Sequence, residues 1–189
     1  MSWLNEEFKT EFIKEFSSSI AEYVKTYNKF GIYDFYDIHK YEDNSQRTQA
    51  RTASLAPYVS NVIFKILKDA GHRVEDSNGY DHDIIVNSVE IEEKTFQGNE
   101  PSSGGFANKV GHHLFIKYKV ENNRVGELLI VFGNIRECVN SKWSKSGSTT
   151  SYSSFKLSVD DADKFIVLSG SLRKKKKWCE WKMEEIEWK

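Results

Sequence analysis

The sequence predicts an α/β fold in which a helix is followed by three strands, a second helix and a further strand. Three observations carry that prediction. Two long stretches place apolar residues at helical spacing, two short strand-like runs meet at Asn87-Ser88, and "ELLIVFGN" is a continuous apolar run bounded by a glycine. The 189 residues, 39% hydrophobic and 14% aromatic, suffice for one domain with a proper core and are too few for two. Residues 1–189 are therefore read as a single domain. It has an N-terminal helix and polar loop over 1–50, a core over 54–133, and a loop with C-terminal strands over 134–189.

The first helix runs over residues 3 to 30, where Leu4, Phe8, Phe12, Phe16, Ile20, Tyr23, Val24 and Tyr27 make one stripe with Glu and Lys between them. Gly31 closes it. The segment "YDFYDIHKYEDNSQRTQAR" has no period and reads as a loop. A second helix is capped by Ser54, tolerates Pro57 in its first turn and stops at Gly71. Leu55, Val59, Val62, Ile63, Ile66, Leu67 and Ala70 give its apolar face. Strands follow at "HRVE", "DIIV" and "VEIEEKT", then a loop at "GNEPSSGG". Phe106, Val110, Leu114 and Tyr118 recur every four residues, so "FANKVGHHLFIKYKV" is expected to be helical. Residues 140–154 are Ser/Thr-rich and expected to be a loop, and strand-like runs return at "KFIVLSG" and "KKKKWCEWKMEEIEW".

Composition narrows the function classes. A net charge of −1 names no partner, so any basic surface must be local. Two cysteines, Cys138 and Cys179, make neither a disulfide framework nor a zinc motif. The first residues, "MSWLNEEFKTEF", are charged and amphipathic, unlike a signal peptide, and no apolar run approaches a membrane span. The expectation is a soluble, cytoplasmic protein without a membrane partner.

The chemistry-bearing stretch is "GYDHDIIVNSVEIEEKT". With period two along the third strand, Val89, Ile91 and Glu93 point one way and Glu90, Glu92 and Lys94 the other. A hairpin about Asn87-Ser88 would bring Asp83 opposite the Glu92–Lys94 end of its partner. Two neighbouring carboxylates suit a hard divalent cation such as Mg2+, which can polarise a phosphodiester and acidify a bound water. A lysine beside them can orient that water or stabilise developing charge. The chemistry these residue types point to is phosphodiester hydrolysis, with Asp83 and Glu92 as metal ligands and Lys94 beside them. Asp81 competes with Asp83 for the first position, and Glu90 could shape a second metal site. The same charges would equally suit a half-exposed, solvated strand.

Asp83 followed by Glu92-Glu93-Lys94 resembles the PD-(D/E)xK nuclease signature, and the element order over about residues 54–133 resembles that family's core. The sequence departs from the pattern at His82, which stands where proline is usual, and at Glu93, which stands where an apolar residue is usual. A buried Glu93 would need a partner. The resemblance implies a restriction-endonuclease-like fold, a mixed central sheet flanked by helices. It also implies a magnesium-dependent, site-specific double-strand cleavage of DNA by a homodimer, as in type II restriction endonucleases. The "GHH" of Gly111-His112-His113 resembles the histidine pair by which the blunt-cutting branch contacts DNA. The apolar stripe of the first helix is a candidate dimer interface.

Further DNA contacts are expected from polar and basic segments: Arg47 and Arg51 in "NSQRTQAR", Lys109, Lys142 and Lys145, and Lys174 and Lys175 in "LRKKKKW". Lysines on a strand also serve as a guard against edge aggregation. Two alternatives stay open: a structure-specific or repair nuclease of the same superfamily, and a catalytically inert DNA-binding protein with this fold.

Overall fold

Asn5 starts the first helix, α1 (Glu6–Lys29), by accepting the Phe8 N–H on its side-chain oxygen at 2.9 Å. This is a computed structural model, and it describes residues 2–29, 45–76, 83–104, 110–145 and 152–188. Phe8, Phe12, Phe16, Ile20 and Val24 are buried along α1, each phenyl contributing roughly 2–3 kcal/mol of transfer free energy. The stripe expected to form a dimer interface is consumed here by the chain's own core, so it no longer argues for one.

The second helix, α2 (Ser45–Asp69), begins at Ser45 and not at Ser54, so "SQRTQAR" is helical where a loop was expected. Pro57 lies in the helix interior, not its first turn. Its ring costs the helix one N–H, while Leu55, Val59, Val62, Ile63, Ile66 and Leu67 bury against α1 and the sheet and offset that loss. The end is as read: Gly71 at φ +80° donates to the Lys68 carbonyl at 2.9 Å, and His72 N–H to that of Leu67 at 2.9 Å.

The main sheet runs β1 (Val74–Asp76), β2 (Ile84–Val86), β3 (Val89–Thr95), β5 (His112–Glu121), β6 (Arg124–Asn134) and β12 (Glu184–Glu185), with β9 (Phe165–Ser169) also on β6. β3 and β5 are parallel and the other pairs antiparallel, so the sheet is mixed. β4 (Ser102–Gly104), β8 (Tyr152–Lys156) and β7 (Lys142–Lys145) form a second small sheet, and β10 (Ser171–Lys175) with β11 (Trp178–Lys182) a two-stranded one.

The helix expected over "FANKVGHHLFIKYKV" is corrected where the stretch is described: residues 112–121 are the central strand β5, and residues 106–109 lie outside the described residues. A spacing of four is also an even number, so Val110, Leu114 and Tyr118 fall on one face of a strand as readily as of a helix. Phe115 buries on the other face, and β-sheet neighbours on both sides decide the matter. Of the loop expected over 140–154, residues 142–145 and 152–154 are strand, and residues 146–151 lie outside the described residues. Trp143 and Phe155, 5.3 Å apart between ring centroids, anchor β7 and β8. Asp161, 1% exposed, fixes the start of this region by accepting the N–H groups of Val139, Asn140 and Ser141 at 3.1, 2.8 and 2.7 Å.

The two faces of the sheet carry separate cores. Ile84, Val86, Ile91, Leu114, Ile116, Leu128 and Ile130 pack beneath α1 and α2. Phe96, Phe115, Leu129 and Val131 pack with Phe155, Phe165 and Trp181 of the small strands. Both described helices thus lie on one face, where flanking helices were expected.

The β2–β3 turn at Asn87-Ser88 has φ +49° and +70°, the double left-handed geometry of a tight hairpin. Asn87 suits it and also accepts the Arg73 N–H at 3.0 Å, while Ser88 is strained. Ser88→Gly should raise stability by up to about 1 kcal/mol, measured by urea unfolding. A decrease would show that Ser88 makes a contact worth more than its strain.

Candidate functional site

The hairpin puts Ile84 opposite Ile91, so Asp83 stands at its mouth, where the facing residue on β3 is Glu92. Asp83 N–H donates to the Ile91 carbonyl at 3.1 Å. Its carboxylate Oδ2 accepts, at 2.7 Å, the N–H of the peptide that joins Glu92 to Glu93. The first acid is thereby held against the backbone that carries the second.

Glu92 is 1% exposed and forms an ion pair with the half-buried Lys94, two residues on along the same strand face. Its register partner on β5 is His113, and that of Lys94 is Phe115. Glu92, Lys94, His113 and Phe115 thus share the face opposite the helices. Glu90 lies on the same side of β3 as Glu92 and is exposed. Asp81 lies outside the described residues.

Glu93 points the other way, under α2. Its carboxylate accepts from Ser60 Oγ at 2.9 Å and Thr95 Oγ1 at 3.2 Å. Burial raises its pKa to about 7; the two hydroxyls oppose the shift and the charge of Asp83 adds to it. The sequence pattern gave the direction of this side chain, whereas Ser60, a helix position far away in sequence, carried no signal.

The histidines do not form a pair on a helix. They alternate on β5: His112 is half-buried and stacks on Phe132 at 5.7 Å. His113 is fully buried, its ring 5.5 Å from Phe115 and its Nδ1–H donated to the Gly111 carbonyl at 3.1 Å. A base contact from His113 has no exposed surface to work with, which corrects that expectation.

Arg47 and Arg51 fall in the first turns of α2. Lys142 is exposed at the start of β7 and Lys145 ends that strand; Lys109 lies outside the described residues. Lys174 pairs with Asp163 at 3.2 Å and Lys175 with Glu180 at 2.6 Å.

Among the described residues, no three His, Cys, Asp or Glu side chains converge as a metal cluster. The Asp83–Glu92 donor set is made of carboxylate oxygens beside a lysine. That fits a hard, oxygen-preferring divalent cation, which completes its shell with water, better than a zinc-type ion. No helix among the described residues is long and apolar enough to cross a membrane. Compared with protein-family models and with curated proteins, the chain matches none. The meaning of the site rests on its own geometry.

Proposed function

We propose that the protein is a magnesium-dependent DNA endonuclease of the PD-(D/E)xK type, acting as a type II restriction endonuclease. The observation that carries this reading is the hairpin mouth. Asp83 grips the peptide between Glu92 and Glu93, and Lys94 lies on Glu92. The element order supports it in part. α2, β1, β2 and β3 follow one another as expected, and β5 stands as the next strand of the sheet beside β3. The described part of the connection between β3 and β5 carries β4 in place of a helix.

Asp83 and Glu92 would hold the cation, which when bound polarises the phosphodiester and acidifies a water. Asp83 is exposed and offers the side from which a phosphate arrives. Glu92 is buried, so its charge acts in a poorly solvated setting where electrostatic effects are strong. Lys94 neutralises Glu92 before substrate is present and can swing its ammonium toward a phosphate oxygen or the attacking water. Two such sites, one per strand of a symmetric duplex, are most simply supplied by two copies of the chain.

Incubation of supercoiled plasmid with magnesium, and in parallel with EDTA, tests the reading. Discrete fragments that need magnesium are expected. Smearing or cutting restricted to branched substrates would move the assignment to a repair or junction nuclease, and binding without cutting would sink the enzymatic reading.

A further inference from the structure

The β10–β11 hairpin separates its charges by face. Pairing sets Leu172 opposite Trp181 and Lys174 opposite Cys179, and sets Ser171 opposite Lys182, Arg173 opposite Glu180 and Lys175 opposite Trp178. Cys179 and Trp181 are buried, so the first set lies on the packed side of the hairpin, where Lys174 still reaches the surface and is tied to Asp163. The second set faces outward. It presents Arg173, Lys175 and Lys182 around a single acid, Glu180, and Lys177 lies over the Trp178 ring at 5.2 Å. Lys175 sits 2.6 Å from Glu180 and Lys182 3.7 Å from it. The carboxyl of Glu180 is held below its usual range by the hydrogen bond from Lys175, with the charges of Lys182 and Arg173 adding to it. One carboxylate thus serves three cations.

The positive strip continues onto the main sheet. Lys117 of β5 is half-buried, its ammonium 5.6 Å from the Phe96 ring. Burial lowers its pKa and the charge of Lys182 lowers it further. Glu127, the acid acting on it, already pairs with Lys119 at 3.1 Å. Trp181 anchors the hairpin on Phe96 and Phe115, with ring centroids at 5.8 and 5.1 Å. Phe96 follows Lys94 by two residues, and Phe115 is the register partner of Lys94. The strip therefore begins beside the candidate site and on its face of the sheet. The opposite, helical side is mixed in charge: one cleft there is lined by Glu7, Glu11, Glu15 and Asp69 together with Lys65, which pairs with Glu15 at 3.3 Å and with Asp69 at 3.0 Å.

We propose that the outer face of the β10–β11 hairpin, Arg173, Lys175, Lys177 and Lys182 with Lys117, is a track for the phosphate backbone of double-stranded DNA. It deepens the nuclease reading, on which the choice of DNA rests, by naming the surface that receives substrate. A guard against edge aggregation accounts for lysines on an exposed hairpin. It does not account for Lys117, a cation desolvated on a central strand next to a second cation, whose cost a polyanion offsets. A lipid surface would call for apolar side chains beside the cations. The outer face carries one half-buried indole, Trp178, beneath Lys177, and the exposed large apolar side chains among the described residues, Val110, Val139, Ile166 and Val167, lie outside the hairpin. Because ammonium and guanidinium groups on a strand face are satisfied by any phosphate, the track positions the duplex without reading its sequence.

The test is fluorescence anisotropy with a labelled random-sequence duplex, in EDTA so that nothing is cut, across a series of salt concentrations. The triple variant Arg173→Gln/Lys175→Gln/Lys182→Gln should lower the slope of log affinity against log salt by roughly 0.9 per lost contact. Its affinity should fall at least about tenfold near 0.1 M salt. Lys117→Met should lower the slope by about one contact's worth. Lys174→Gln, on the packed side, should leave both quantities unchanged. Circular dichroism of each variant confirms folding, and Arg173→Lys/Lys182→Arg should restore the wild-type slope if charge is what matters. An unaltered slope in the triple variant would overturn the proposal. So would an equal loss in Lys174→Gln, or wild-type binding to anionic vesicles but not to duplex. Since binding is read without metal, a protein that binds through this face yet never cuts sinks the nuclease reading and leaves the track standing.

Discussion

Glu92→Gln should reduce magnesium-dependent plasmid cleavage by roughly a hundred- to a thousandfold, the scale of losing one preorganised charged group in an active site. Asp83→Asn should do the same. Both changes keep the shape of the side chain and remove one negative charge, so duplex binding measured in EDTA should be retained or tightened. The two acids differ in what they cost the fold. Asp83 is exposed, and an asparagine oxygen can still accept the Glu93 N–H. Glu92 is buried against Lys94, and in Glu92→Gln the lysine, itself half-buried, can turn toward solvent. Lys94→Met is the revealing partner. It strips a 1% exposed carboxylate of its cation, which should destabilise the protein by about 3 kcal/mol. Adding Glu92→Gln to Lys94→Met should recover most of that stability and none of the cleavage. Urea unfolding and a plasmid time course on the four proteins separate the structural role of the pair from its chemical one. Wild-type cleavage by Glu92→Gln would remove Glu92 from the site.

The hairpin was legible because each of its parts is local. Two positive-φ positions filled by Asn87 and Ser88 fix the register, and period-two alternation then decides which way Glu92, Glu93 and Lys94 point. α1 was legible for the same reason, since a stripe from Phe8 to Val24 fits only one period over so many turns. The misread elements are those whose local pattern fits two structures. Val110, Leu114 and Tyr118 satisfy a helix and a strand alike, and only the neighbours β3 and β6 make the strand right. Ser144, Ser153 and Ser154 say nothing against a strand once Trp143 and Phe155 have an aromatic cluster to enter. Pro57 suggested a helix start, yet a buried run on both sides carries the helix through it. The division of the lysine run into Lys174 on the packed side and an outer Lys175 needed the β10–β11 register, which no window of sequence contains.

Glu93 is where the sequence departs most sharply from an apolar pattern, and it should make stability depend on pH. Its pKa is about 7 in the folded protein against 4.5 for an unburied glutamate, because burial disfavours the charged form. Between those two values the folded state keeps a proton that the unfolded state has released. Stability therefore falls as pH rises through this window. The contribution is fully present below about pH 4.5 and lost by about pH 7, and it amounts to about 3 kcal/mol. Glu93→Gln removes the titration while keeping a group that Ser60 and Thr95 can bond. The variant should match the wild type near pH 5 and exceed it by about 2–3 kcal/mol at pH 8, in chelator so that bound metal plays no part. Because Glu93 faces α2 and Glu92 faces the opposite side, the same substitution should leave magnesium-dependent cleavage within a few-fold of wild type. Parallel stability curves for the two proteins from pH 5 to 8 would mean that Glu93 is ionised and satisfied where it lies. Loss of cleavage with stability gained would instead make Glu93 part of the site, and its hydrogen bond to Ser60 would then tie α2 to the chemistry.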